Sequence, residues 1–418
     1  MIDTTFKRPR GLQVAFIVLL LSALSGFRSS HSEPPLAWVT AWGAAPASSG
    51  PSLSSKTVRQ ITRLSIGGSH LRVRLSNLFG KGPLSIGSVR VAVHAGGSQI
   101  QRNTDRALTF EGSSEITIPK GGDALSDSIE FPVKALTQVA VSMYVRGDGG
   151  ASTIHGTGFQ TAYIASGDAT AGTDFPSGET DDSRYFLTDI EVAATRGART
   201  LVVLGDSITD GVGSTENGNA RWPDVLATRL QADPSLASIA VVNAGISGNR
   251  ILNDGRRPFI GPSSLSRFDR DVLGKPGVGF VILLQGSNDI SAADMLTTPE
   301  DHVSAQQIIE GMKTLIAKAH ARGIRIFGGT LLPREGVGKP FINSDAGRAK
   351  RREVNEWIRT SGAFDAVLDF ERVMTDPARP GHLRPAYDSG DHLHPNDAGF
   401  AAMASSIDLS LFARRPER

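Results

Sequence analysis

The sequence predicts an α/β chain in two unlike parts. The first is a β-sandwich of jelly-roll type over 37–192. The second, over 198–415, is a three-layer arrangement in which helices cover both faces of a parallel sheet. Three observations predict this. Short β-rich runs separated by glycine turns fill 38–192 with no long helical period. The run Thr200-Leu201-Val202-Val203-Leu204 is apolar enough for a strand buried on both faces. After it, strand-like and helix-like segments alternate, which is the pattern of parallel strands joined by crossover helices.

The elements follow in order. Lys7, Arg8 and Arg10 precede the apolar stretch Leu12–Leu24. That stretch is short of the roughly 20 residues a membrane span needs, and it has the length of a signal-peptide core. Residues 1–32 are therefore expected to be a signal peptide, with Ser30-His31-Ser32 as its cleavage site and an uncleaved anchor as the alternative. The secreted or periplasmic location expected for the chain rests on this segment. The sandwich strands are expected at Arg59–Ile66, Leu71–Leu75, Ser88–Val93, Glu115–Ile118, Ser128–Phe131 and Thr137–Val145. Turns are expected at Gly67-Gly68, Gly80-Lys81-Gly82, Gly96-Gly97 and Gly121-Gly122. Gly167–Arg196 is read as the junction, with Ala169–Arg184 as a surface loop. In the second part, strands are expected at Thr200–Leu204, Ile239–Asn243, Phe280–Leu284, Ile324–Leu331 and Ala366–Phe370. Helices are expected at Trp222–Leu230 and His302–Arg322, the latter ended by Gly323.

Composition narrows the function. The full chain has 44 Lys/Arg and 42 Asp/Glu; the first 32 residues hold four of the bases and one of the acids. The remainder carries 40 bases and 41 acids, a net charge of −1, so no nucleic acid or anionic membrane is expected as a partner. With no cysteine there is no disulfide, thiol nucleophile or lipoprotein anchor. The nine histidines show no metal-ligand spacing, and neither metal nor cofactor is expected.

In open α/β sheets, ligands gather at the carboxyl ends of the strands. Here those ends run into Gly205-Asp206-Ser207, Asn243-Ala244-Gly245-Ile246-Ser247-Gly248-Asn249-Arg250 and Gln285-Gly286-Ser287-Asn288-Asp289. Asp391-His392-Leu393-His394-Pro395 lies near the C-terminus. A serine hydroxyl becomes a nucleophile when a base takes its proton. His394 can be that base for Ser207, and Asp391, three residues before it, can hold its tautomer. His392 is the rival base; the spacing to Asp391 and the following Pro395 favour His394. Gly-Asp-Ser alone is also an ordinary turn or N-cap sequence.

These blocks, in this order, resemble the SGNH/GDSL hydrolase superfamily. The resemblance implies a flavodoxin-like domain and a serine esterase working through a Ser207-His394-Asp391 triad and an acyl-enzyme. It also implies an oxyanion hole made by the N–H of Ser207, the N–H of Gly245 and the amide of Asn288. Asn249 and Arg250 are candidates for substrate contact or for tying down their own loop. Asp206 is a candidate for either a substrate contact or a structural hydrogen bond, and Asp289 for fixing Asn288 or a loop. The segments Thr40-Ala41-Trp42-Gly43, Asn77-Leu78-Phe79-Gly80, Arg267-Phe268-Asp269-Arg270-Asp271 and Asn355-Glu356-Trp357-Ile358 look like a two-domain, XynE-like subgroup of secreted esterases. That closer resemblance implies a small-molecule or polysaccharide ester as substrate. Trp42, Asn77 and Phe79 would then shape a pocket at the domain boundary or simply pack there. Two alternatives stay open. One is a lipase, arylesterase or thioesterase using the same triad. The other is a carbohydrate-binding protein with a vestigial hydrolase domain.

Overall fold

Strand Gly68–Ser76 buries Leu71, Val73 and Leu75 and turns Arg72 and Arg74 the other way, the period of a sheet packed on one face. This pattern recurs through the N-terminal half in a computed structural model that describes residues 1–3, 5, 37–147, 150–176, 178–295, 298–337 and 344–413. The leader expected over 1–32 lies, except for residues 1–3 and 5, outside the described residues.

Two large antiparallel sheets and a small three-stranded one, in which Thr153–His155 lies between Arg184–Tyr185 and Ser48–Ser49, make up the described β-rich region. One large sheet runs Ala37–Gly43, Leu187–Ala194, Gly68–Ser76, Ile129–Val133; the other centres on Lys56–Arg63, Gln138–Val145 and Leu84–Gly96. Val73, Ile190 and Val192 of the first share one buried cluster with Val58, Val91 and Val141 of the second. Leu187–Ala194 corrects the sequence reading, which placed it in a junction. It lies between two partners and is buried along almost its whole length. Its Asp189 and Glu191 made it look polar, but both are buried against cations: Lys275 on Asp189, and Arg72 on Glu191 at 2.6 Å. The expected loop Ala169–Arg184 likewise contains a short strand, Glu179–Asp181, paired with Ala162–Ser166.

From Arg199 onward the sheet is parallel. Its spatial order is Ile239–Gly245, Arg199–Gly205, Val278–Leu284, Arg325–Gly329, Ala366–Leu368. In chain order this is 2-1-3-4-5, a doubly wound order whose switch point lies at the first strand. Alternate residues explain the layers. Val202 and Leu204 pack with helices Ala305–His320 and Asp345–Thr360. Leu201 and Val203 pack on the opposite face with helix Trp222–Ala232 and with Phe400 and Met403. Helix Ala305–His320 starts at a capping box in which Ser304 and Gln307 satisfy each other's backbone N–H groups.

The β-rich region joins this sheet along strand Ile239–Gly245, which among the described residues has no strand partner on its outer side. The N–H of Val241 donates to Ser65 Oγ at 2.9 Å, and Ser65 Oγ donates to Ala41 O at 2.7 Å. Thr40 N–H donates to Thr200 Oγ1 at 3.1 Å.

Candidate active site

Ser207 opens a one-turn helix, Ser207–Asp210, at the carboxyl end of the first parallel strand. Asp206 caps that helix, accepting the N–H of Ile208 at 3.1 Å. Ser207 is partly open while residues on either side of it are buried. Facing it, His394 Nε2 lies 2.8 Å from Ser207 Oγ. His394 Nδ1 donates to Asp391 Oδ2 at 2.6 Å, which leaves Nε2 as the acceptor of the serine proton. Asp391 Oδ1 also accepts the N–H groups of Leu393 and His394, at 2.9 and 2.8 Å. Partial burial opposes its charge, but these bonds and the His394 bond hold the carboxyl well below the usual range. His392 does not enter this array. Its Nδ1 donates to Asp388 Oδ2, and its side chain is more than half exposed.

Asn288 sits in the first turn of helix Ser287–Met295, after the third strand, and is partly open. Its amide donates to Asn249 O at 3.1 Å and keeps a second proton. Asp289, behind it, accepts the N–H groups of Ile251 and Leu252 at 2.9 and 3.0 Å, so it ties the loop rather than Asn288. Burial pushes its carboxyl up to about 6.

The geometry departs from one expectation, for Gly245, and narrows three readings that the sequence left open, for Asn249, Arg250 and Asp206. The N–H of Gly245 does not face an open site, because it donates to Asn243 Oδ1 at 2.9 Å. Gly245 is small for a different reason: a Cβ there would meet Asp210 N at 2.4 Å and Asp210 Cα at 2.8 Å. Gly248 has φ +76°, and its N–H has no hydrogen-bond partner among the described residues. Asn249 is not a surface group. It is fully buried, donates to Ile260 O and Pro262 O, and accepts from Arg267 Nε and Gln285 Nε2. Arg250 is buried on Asp301 and the carbonyl of Asp254. Asp206 is buried in its capping role, and burial pushes its carboxyl up to about 6. A motif does not say which polar residues of a loop turn inward to satisfy its backbone, so the sequence left these readings open.

Arg267 is the framework residue whose role sequence reading missed, although its segment stood out. Fully buried, it donates to Ala244 O at 2.7 Å and to Gly205 O at 3.2 Å, gathering the ends of two strands beside Ser207. Asn355 does similar work on the loop after the fourth strand, exchanging hydrogen bonds with both backbone groups of Leu331. Asn77 is buried within the β-rich region, donating to Gly82 O and Ile118 O, and Phe79 N–H donates to Thr153 Oγ1. Trp42 borders a crevice shared with Asp210 and Arg221.

Residues 203–402 match the model of the GDSL-like Lipase/Acylhydrolase family. The chain carries a GDSL-like acylhydrolase domain. That domain places the protein among the carboxylic ester hydrolases. Solved structures similar to part of this chain include an acetyl xylan esterase variant from Geobacillus stearothermophilus. It has 23% identity, covers 50% of this chain and 92% of that one, and gives a TM-score of 0.39. A carbohydrate acetylesterase from Sinorhizobium meliloti shows 16% identity, coverage of 49% and 94%, and a TM-score of 0.37. An α/β hydrolase from the metagenome of Lake Arreo, Spain, shows 22% identity, coverage of 50% and 92%, and a TM-score of 0.37. No curated protein matches the chain.

Proposed function

We propose that the protein cleaves short-acyl carboxylic esters in two acyl-transfer steps at Ser207, outside the cytoplasm, with acetylated polysaccharide as its substrate class. The observation that carries the reading is the continuous Ser207–His394–Asp391 hydrogen-bond chain. Ser207 Oγ attacks the ester carbonyl while His394 Nε2 takes its proton. Asp391 holds Nδ1–H in place and stabilises the imidazolium. The alcohol leaves with the proton from Nε2. Water, deprotonated by the same nitrogen, then releases the acid and restores Ser207. The oxyanion is held by the N–H of Ser207, the second amide proton of Asn288 and, in place of Gly245, the unengaged N–H of Gly248. The acyl and polymer preference and the export rest on the sequence resemblance and the basic-apolar leader. The two large antiparallel sheets are read as an accessory β-sandwich.

Ser207→Ala is expected to lower kcat on p-nitrophenyl acetate by roughly 10⁴-fold or more. Activity retained by that variant refutes the mechanism. Rates rising from acetyl toward octanoyl esters refute the short-acyl preference, and inertness toward acetylated xylan refutes the polysaccharide.

A further inference from the structure

The β-rich region sends one titratable side chain into the ground beneath the nucleophile. His155, from the short strand Thr153–His155, is 5% exposed, and among the described residues its ring nitrogens meet only oxygen hydrogen-bond partners. Its Nδ1 lies 2.9 Å from Ala45 O. Its Nε2 lies 2.9 Å from Asp210 Oδ1 and 3.1 Å from Thr157 O. Both carbonyls can only accept, so both ring nitrogens carry protons and the ring is an imidazolium. Asp210 is its counter-charge, 1% exposed and fully used. Its Oδ2 accepts Thr157 Oγ–H at 2.6 Å, Ser247 N–H at 2.8 Å and Ser247 Oγ–H at 2.7 Å.

Asp210 is the last residue of the single turn that begins at Ser207. A helix of four residues has almost no stability of its own. Its far end is therefore held by what grips Asp210. The grip has two parts. Ser247 belongs to the loop that carries Gly248 and Asn249, while His155 and Thr157 come from the β-rich region. One carboxylate thus fixes the serine turn and the neighbouring loop against a surface outside the GDSL domain.

We propose that His155 is a positioning residue for ester hydrolysis: its buried ion pair with Asp210 holds the Ser207 turn in the geometry that His394 requires. The β-rich region then completes the active site rather than merely accompanying it. This inference rests on Ser207 being the nucleophile. The other charged groups facing the pair are Arg184 and Arg221, which line the same crevice, and the buried Arg267. Burial works against the charged ring, but Asp210 and the hydrogen bonds lift the His155 pKa above its ordinary value and depress that of Asp210.

The test uses the full chain with p-nitrophenyl acetate, well below each variant's Tm. His155→Gln is expected to lower kcat about tenfold or more, with KM changed less than about twofold, because misplacing the attacking atom by a fraction of an ångström penalises the chemical step. Thr157→Val, which deletes one bond to Asp210, is expected to lower kcat less, also without changing KM. Adding Asp210→Asn to His155→Gln is expected to recover part of the loss by removing the unpaired carboxylate. The exposed His320→Gln serves as control. In the native enzyme, ¹⁵N NMR is expected to find both His155 nitrogens protonated at pH 8. A lower Tm with unchanged kcat in both His155→Gln and Thr157→Val overturns the proposal, as does a neutral His155 ring at pH 8. If His155→Gln does not fold, Thr157→Val and the NMR measurement decide. Full activity in Ser207→Ala would instead refute the underlying mechanism, whatever His155 does.

Discussion

Gly245→Ala separates two accounts of one glycine. If its N–H stabilised the oxyanion, alanine would keep that N–H and much of the activity. The structure gives the opposite expectation. A methyl group at 245 would stand 2.4 Å from Asp210 N, 2.8 Å from Asp210 Cα and 2.9 Å from Thr209 C, all backbone atoms. Restoring ordinary contact requires the Ser207–Asp210 turn or strand Ile239–Gly245 to move by about 1 Å. Overpacking of this kind costs about 1–3 kcal/mol. Spread over the unfolding entropy of a chain this size, that is a Tm fall of roughly 1–4 °C. The catalytic effect is larger, since an error of about 1 Å at a reacting atom can lower the rate about 10²-fold. The assay is kcat on p-nitrophenyl acetate, with active serines counted by fluorophosphonate labelling. A Gly245→Ala enzyme with native kcat and Tm would refute the packing account.

Two other substitutions probe neighbouring features. Asn288→Ala is expected to lower kcat about 10²–10³-fold with little change in KM, since its second amide proton would act mainly on the developing oxyanion; an equal rise in KM would mean that it binds ground-state substrate instead. Asp206→Asn is expected to stabilise the protein at alkaline pH, because burial pushes the Asp206 carboxyl up to about 6. The folded state holds that proton more tightly than the unfolded chain, so Asp206 disfavours folding increasingly as pH rises from about 4 to 6, reaching about 3 kcal/mol. Asparagine keeps an acceptor for Ile208 N–H and loses the charge, so the Tm difference between variant and native protein should be small at pH 4 and open through pH 6 in calorimetry. A difference independent of pH would show that Asp206 does not titrate in this way.

The parallel sheet was legible because its strands are buried on both faces. Thr200–Leu204 is apolar for want of any solvent-facing side, and the observed strand extends it by one residue at each end. Ser207 and Asn288 stood out in the sequence because each follows a strand, and Asp391 and His394 because of their three-residue spacing; the structure joins Ser207, His394 and Asp391 by hydrogen bonds. What escaped was decided by tertiary pairing. Leu187–Ala194 hides its buried position behind Asp189 and Glu191, whose partners lie far along the chain at Lys275, Arg72 and Arg74. The sequence singled out Gly245 as a donor, and nothing in the motif shows that the side chain of Asn243 turns back to engage its N–H. Nothing adjacent to His155 announces Asp210, 55 residues later.

The outer rim of strand Ile239–Gly245 has a consequence for any shortened enzyme. With the β-rich region attached, that rim meets Ser65, and Ala240 belongs to the cluster between the antiparallel sheets. Cut away at about residue 198, the acylhydrolase portion would present a bare hydrogen-bonding border of valine and alanine, a template for strand-to-strand association between molecules. A minimal enzyme would therefore need a substitute for the cover that the antiparallel sheets give this strand.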